Sequence, residues 1–175
     1  MFSFKGLVLP AAVAVIGLAS VASADPAYRA DDVVKFFQDS ASRGLTRGLC
    51  VGTAQECDRE ADKPPTFDML VTFELGSDQL TAAARENLLE FAKALQDPRL
   101  SVARFAVEGH TDARGSEDFN LRLSLRRAET VIGFLEAQGL PRGRFNVKGF
   151  GETAPRTNDA FDPINRRVET RILLQ

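Results

Sequence analysis

The feature that most constrains this chain is a hydrophobic period that switches between two and 3.6 along its last two thirds. From Thr66, the residues Phe67, Met69, Val71, Phe73 and Leu75 alternate with their neighbours, the period of a half-buried strand. Thr81 to Gln96 is rich in Ala, Leu, Glu and Lys and lacks Gly and Pro, so it is predicted to be a helix. Leu88, Leu89, Ala92 and Leu95 would form its apolar face, and Asp97-Pro98 would stop it. Val102 to Glu108 is predicted as a strand, closing at Gly109. Glu117 to Gln138 is a second helix. Ser116 stands at its N-cap, Glu117 and Asp118 lie in its first turn, and Gly139 and Pro141 follow it. Leu121, Leu125, Ala128, Ile132 and Leu135 recur at helical spacing and are expected to form one core stripe. Phe145 to Gly149 and Val168 to Leu174 are the last strands. The order β-α-β-α-β-β needs crossovers between strands. It predicts an α+β fold with a mixed sheet and helices packed on one face.

What precedes Thr66 is different. Lys5, the uncharged run Leu7 to Val21 and Ala22-Ser23-Ala24 have the order of a secretory leader cut before Asp25. The run is short of the roughly 20 apolar residues that a bilayer span needs, and an uncleaved anchor is the other reading. No Cys stands at the cut, so the leader is not of the lipoprotein type. Residues 25–65 form a separate N-terminal segment. Val33, Val34, Phe36 and Phe37 suggest a short amphipathic helix, with Asp31 or Asp32 as cap and Gly44 as its end. The segment is too small for a core of its own. It is either a strap packed on the main domain or a docking site for a partner. Lys63-Pro64-Pro65 marks the boundary with a domain over 66–175.

Cys50 and Cys57 lie in this exported segment, where a disulfide is the default expectation. It would stabilise the chain by about 2.5 kcal/mol before strain. A metal or redox pair is the alternative. The spacing is not CxxC and the chain has one His, which argues for no metal and no cofactor. A net charge of −2 argues against a nucleic-acid partner. With no Trp and one Tyr, the 13 Phe residues serve as core filler rather than as a stacking platform.

Two motifs carry the functional information. The first is Gly109-His110-Thr111-Asp112, then Gly115, Asn120, Leu123-Ser124, Arg127-Ala128 and Val131. The second is Gly149-Phe150-Gly151-Glu152, Pro155, Asn158 and Asn165-Arg166-Arg167-Val168-Glu169. On these residues, over roughly 66–175, the chain closely resembles the OmpA-like peptidoglycan-binding domain. That resemblance implies non-covalent binding of peptidoglycan through the diaminopimelate of the stem peptide. Its ligand-binding Asp and Arg fall on Asp112 and Arg127. The chemistry agrees, because diaminopimelate carries an ammonium and a carboxylate on one centre. A carboxylate at Asp112 would accept from the first, and the planar fork of Arg127 would clamp the second. A plain Asp112–Arg127 salt bridge is the competing reading of the pair.

Supporting roles follow with less force. Asn120, Ser124, Arg127 and Val131 share one helical face, expected to border a groove beside the core stripe. Thr111 and Asn120 would bond the ligand or hold the 110–116 loop. By resemblance, Ser77 and Asp78 lie where backbone amides meet the peptide. Of Arg166 and Arg167, one would line the groove and the other bridge or face solvent. His110 would be structural, or would orient Asp112. A wall hydrolase is the rival class, with His110, Asp112 and Ser124 as triad ingredients. Ser124 lies within a helix, however, and no GxSxG elbow is present, so an enzyme is not expected. A third reading gives residues 25–65 an outer-membrane or other envelope protein as partner. All three put the protein in the periplasm of a Gram-negative bacterium, in association with the outer membrane.

Overall fold

The computed structural model describes residues 25–45, 65–74 and 76–173. The leader, Cys50, Cys57, Lys63, Pro64, Leu75 and Leu174 lie outside the described residues. Among the described residues, three α-helices run over Ala30–Leu45 (α1), Ala82–Gln96 (α2) and Glu117–Ala137 (α3). Four strands run over Phe67–Asp68 (β1), Arg104–Gly109 (β2), Phe145–Gly149 (β3) and Val168–Leu173 (β4). They form one sheet in the order β1-β4-β2-β3. β4 is antiparallel to both β1 and β2, and β2 is parallel to β3. This is the expected α+β arrangement with a mixed sheet. None of the described helices is long and apolar enough to cross a membrane.

Side-chain alternation puts all three helices on one face of the sheet. Phe105 and Val107 of β2 pair with Ile172 and Thr170 of β4 and point toward the helices. There Phe105, Val107, Val168 and Ile172 join Leu88, Phe91, Leu95, Val131, Ile132 and Leu135 in one core. Each large side chain buried there contributes about 1.5–3 kcal/mol. α1 is part of this core. Val33 and Phe37 are fully buried, and the Phe37 ring sits edge-on to Phe105 at 5.0 Å and to Phe91 at 6.2 Å. Asp31 and Asp32 do not cap α1 by preceding it. They lie in its first turn, where Asp32 Oδ2 reaches back to the backbone N–H of Arg29 at 3.0 Å, one half of a capping box. α1 also continues one residue past Gly44.

The opposite face carries the other half of the alternation. Glu108 and Glu169 are cross-strand partners, a like-charge pair that is unfavourable unless neutralised. Arg171 bonds Glu108, while Arg156 and Arg167 bond Glu169 at 2.9 and 3.0 Å.

Two expectations fail in instructive ways. The first strand is not continuous over 66–75. β1 ends at Asp68, Leu70 takes a φ of +48°, and Asp68 Oδ1 accepts from the Leu70 N–H, a local turn that ends the pairing. Beyond it, Phe73 bridges to Leu80 and Glu74 N–H bonds the Gln79 carbonyl at 2.9 Å. This makes a small hairpin whose tip holds Gly76, Ser77 and Asp78. The second failure is the α3 stripe. Leu121 and Leu125 are exposed, whereas Asn120, Ser124 and Arg127 are buried. The cause is glycine. A Cβ at Gly109 would stand 2.1 Å from the Ser124 carbonyl oxygen, and one at Gly149 would stand 2.7 Å from the Leu125 nitrogen. Main chain thus lies against main chain over the first half of α3. Leu121 and Leu125 turn outward from this contact, while Leu123 is buried beside the groove.

Candidate functional site

Where β2 ends, the chain leaves the sheet as the 110–116 loop, and α3 starts from Ser116, whose Oγ accepts from the Phe119 N–H at 3.3 Å. The loop and the helix form two walls of a groove of about 500 Å³. Thr111, Asp112 and Arg114 come from the loop, and Phe119, Asn120, Leu123 and Arg127 from α3. The hairpin adds Phe73, Glu74 and Gly76, and the segment before β4 adds Arg166. The volume falls in the range of small-ligand sites, roughly 300–1,000 Å³.

Asp112 and Arg127, the two residues singled out from sequence, both line this groove and are both buried. They do not pair with each other. Asp112 Oδ2 accepts from Arg114 Nη1 and from Arg166 Nη1, each at 2.7 Å, and Oδ1 accepts from the Arg114 backbone N–H at 3.2 Å. Burial pushes the Asp112 carboxyl up. The hydrogen bonds from Arg166 and Arg114 outweigh that and hold it below its ordinary value, so it is anionic at neutral pH. Arg127 is placed differently. Its Nε donates to the Ser77 carbonyl at 3.1 Å, and its guanidinium lies 4.8 Å from the Phe73 ring centre. Burial and then the charge of Arg166 depress its pKa. Among the described residues no carboxylate bonds it.

The supporting residues divide. Asn120 Nδ2 donates to the Asp112 carbonyl and to Glu152, so it fastens the loop while lining the groove. Thr111 Oγ1 is buried without a hydrogen-bond partner among the described residues. Ser124 does not face the groove. Its Oγ donates to the Leu121 carbonyl and accepts from the Gly151 N–H, both at 2.9 Å, because the close helix–sheet contact turns it toward that turn. Ser77 acts through its carbonyl on Arg127, while its Oγ accepts from the Gln79 N–H. Asp78 sits 3.4 Å from Arg126 at the half-exposed rim. Arg166 lines the groove, and Arg167 is the buried bridge to Glu169.

His110 takes the structural option. Its ring stacks on Phe150 at 5.2 Å, and Nε2 lies 3.4 Å from Glu169 Oε1. Its contacts are with these two residues rather than with Asp112. Glu108, His110 and Glu169 could offer ligand atoms within 4.8 Å of one another. Their carboxylates are already matched by Arg171, Arg156 and Arg167, which leaves no net negative charge for a cation. Sequence reasoning gave no site role to Arg114, Phe73 or Glu152, although Glu152 stands in the second motif. Arg114 stands two residues beyond Asp112, and that proximity was the one available signal.

Several known proteins are similar to this chain. An "Outer membrane protein" of Gluconacetobacter diazotrophicus is 36% identical over 117 residues, covering 60% of this chain and 30% of its own. The "Outer-membrane lipoprotein YfiB" of Pseudomonas aeruginosa is 35% identical over 101 residues, covering 56% of this chain and 59% of its own. The chain therefore spans less than two thirds of the length of these relatives. Among solved structures, the OmpA-like domain of FopA1 from Francisella tularensis superposes with a TM-score of 0.52 at 24% identity, over 57% of this chain and 67% of that one. The peptidoglycan-associated lipoprotein from Burkholderia pseudomallei gives 0.52 at 24% identity, over 59% and 88%. Both likenesses concern the fold. The OmpA family model matches residues 72–169, a stretch of more than half the chain that contains both motifs and every wall of the groove, and by that match this protein belongs to the OmpA family.

Proposed function

We propose that this protein binds peptidoglycan without cutting it, taking the diaminopimelate of a stem peptide into the groove between Asp112 and Arg127. One observation carries the reading: a buried guanidinium and a buried, anionic carboxylate line the same groove without bonding each other. A buried cation that no carboxylate of the described residues bonds is costly, and a ligand carboxylate would relieve that cost. With Nε given to Ser77, neither Nη group of Arg127 is bonded among the described residues, and the two suit a bidentate clamp. Asp112 Oδ1 receives a single backbone N–H, so it retains a lone pair for the ligand's ammonium.

The same geometry favours binding over hydrolysis. A nucleophile needs a base within reach. Ser124 Oγ is committed to Leu121 and Gly151 inside α3, and His110 is enclosed by Phe150 and Glu169. Two relatives whose names place them at the outer membrane support a Gram-negative envelope location. Among the described residues of the 25–65 segment, the outer side of α1 is what an envelope protein as second partner would meet, since Val33, Val34 and Phe37 are spent on the core.

The test is a calorimetric titration with meso-diaminopimelate beside 1,5-diaminopentane, which keeps both ammonium groups but lacks both carboxylates. Binding of diaminopimelate, lost in Arg127→Gln and absent for the diamine, is the expected result. Equal binding of both compounds would remove Arg127 as the carboxylate clamp.

A further inference from the structure

The charge of the groove does not balance for an amino-acid centre alone. Three guanidinium groups line it, on Arg114, Arg127 and Arg166, against two carboxylates, on Glu74 and Asp112. One ammonium and one carboxylate on a ligand add no net charge, so the excess cation remains. It is concentrated at one point. Arg114 and Arg166 both bond Oδ2 of Asp112 at 2.7 Å, so a single carboxylate oxygen serves two guanidinium ions.

We propose, on the footing of the peptidoglycan reading, that Arg114 and Arg166 form a second anion subsite. It would recognise a free carboxylate on the peptide next to the amino-acid centre held by Asp112 and Arg127. The parts are suited to it. A guanidinium has five donors, and the side chains of Arg114 and Arg166 each spend one on the described residues. Both side chains are partly open to solvent, at 61% and 44% exposure, so their remaining N–H groups are accessible. Both are also held in position. Arg114 lies 6.0 Å from the Phe161 ring centre, and the Arg166 backbone N–H bonds the Pro163 carbonyl at 3.0 Å. A carboxylate reaching this pair would supply the missing negative charge without displacing Asp112. In a stem peptide the group with that chemistry is the α-carboxylate of a γ-linked glutamate preceding diaminopimelate. An amide there is neutral and loses the attraction. The subsite would therefore read whether that position is free or amidated.

The experiment compares two synthetic probes at low salt by calorimetry: L-Ala-γ-D-Glu-meso-diaminopimelate and its isoglutamine twin. Because the arginines are partly screened, the free acid should bind about five- to tenfold more tightly than the amide. Arg114→Gln and Arg166→Gln should each bring that ratio toward one, whatever they do to absolute affinity. Thermal melts of the unliganded variants check that they fold. Equal affinities of the two probes for the wild type would overturn the proposal, as would a ratio that persists in both variants. Free meso-diaminopimelate separates the two levels of the argument. If it binds while the peptides do not differ, only the subsite falls. If neither it nor the peptides bind, the reading of the groove falls with it.

Discussion

Replacing Gly109 by alanine tests how the site is held together. Gly109 ends β2 and immediately precedes the loop that carries Asp112, and its Cα faces the α3 backbone. A Cβ there would lie 2.1 Å from the Ser124 carbonyl oxygen and 2.8 Å from its carbon, where ordinary contact begins at 3.4 Å. Neither partner is a flexible side-chain end, so α3 would have to retreat by more than 1 Å or β2 would have to fray. Overpacking of this kind costs about 1–3 kcal/mol, and rigid main chain on both sides puts the figure at about 3 or above. For a chain of this size that corresponds to a fall in Tm of about 10 °C. The same retreat would separate Asp112 from Arg127, so ligand affinity should fall with stability. Gly133 is the control. It lies in the same helix, and a Cβ added there would meet nothing within 4 Å, so Gly133→Ala should stabilise by about 0.5–1 kcal/mol. Thermal denaturation followed by circular dichroism reads both. A Gly109→Ala protein melting within 2 °C (about 0.5 kcal/mol) of the wild type would refute the close-contact argument.

Other consequences are open to the same methods. Phe37→Ala removes a fully buried ring that touches Phe67, Phe91 and Phe105, and should cost about 3–5 kcal/mol by urea denaturation. A change below about 1 kcal/mol, outside the range for such truncations, would mean that α1 is not part of the core in solution. Burial raises the Glu169 carboxyl, but His110, Arg167 and Arg156 outweigh it and hold it far below its ordinary 4.5. A depressed folded-state pKa gives stability that is present above the unfolded pKa and lost as pH falls toward the folded one. The wild type should therefore lose Tm steadily below about pH 4.5. Glu169→Gln should be less stable at pH 7, because it leaves the buried Arg167 without a carboxylate partner while Arg156 keeps Asp68, and should show a shallower acid slope. Identical slopes would assign the acid sensitivity elsewhere. Binding that rests on partly exposed ion pairs should weaken between about 50 and 500 mM salt, and salt-independent binding would contradict the electrostatic account of the groove.

Much of this architecture was legible because each element announces itself locally. Phe145 to Gly149 alternates between a proline-led turn and a glycine, and forms the expected strand. Ser116 caps its helix as its residue type suggests. The first strand was not legible, since alternation over 66–75 persists through Leu70, whose positive φ no residue pattern reveals. The inward face of α3 was misjudged because its apolar and polar rows lie side by side on the helix surface, and hydrophobicity favours the leucines. The glycines at 109, 149 and 151 held the correcting signal. Three glycines opposite one helix mean that main chain meets main chain, and only small or polar side chains fit between. At the site, Asp112 and Arg127 were legible through a long motif. Arg114 was not, because one arginine in a polar loop looks like any other until its distance to a carboxylate is known.

The most direct test of the central claim is co-sedimentation with insoluble peptidoglycan sacculi at low salt. The wild type would be spun beside folded Asp112→Asn and Arg127→Gln variants, with free meso-diaminopimelate as competitor. The account predicts that the wild type pellets, that the competitor releases it, and that both variants stay in the supernatant. A wild type that remains in solution, or variants that pellet as fully as it does, would contradict the assignment of the groove to the cell wall.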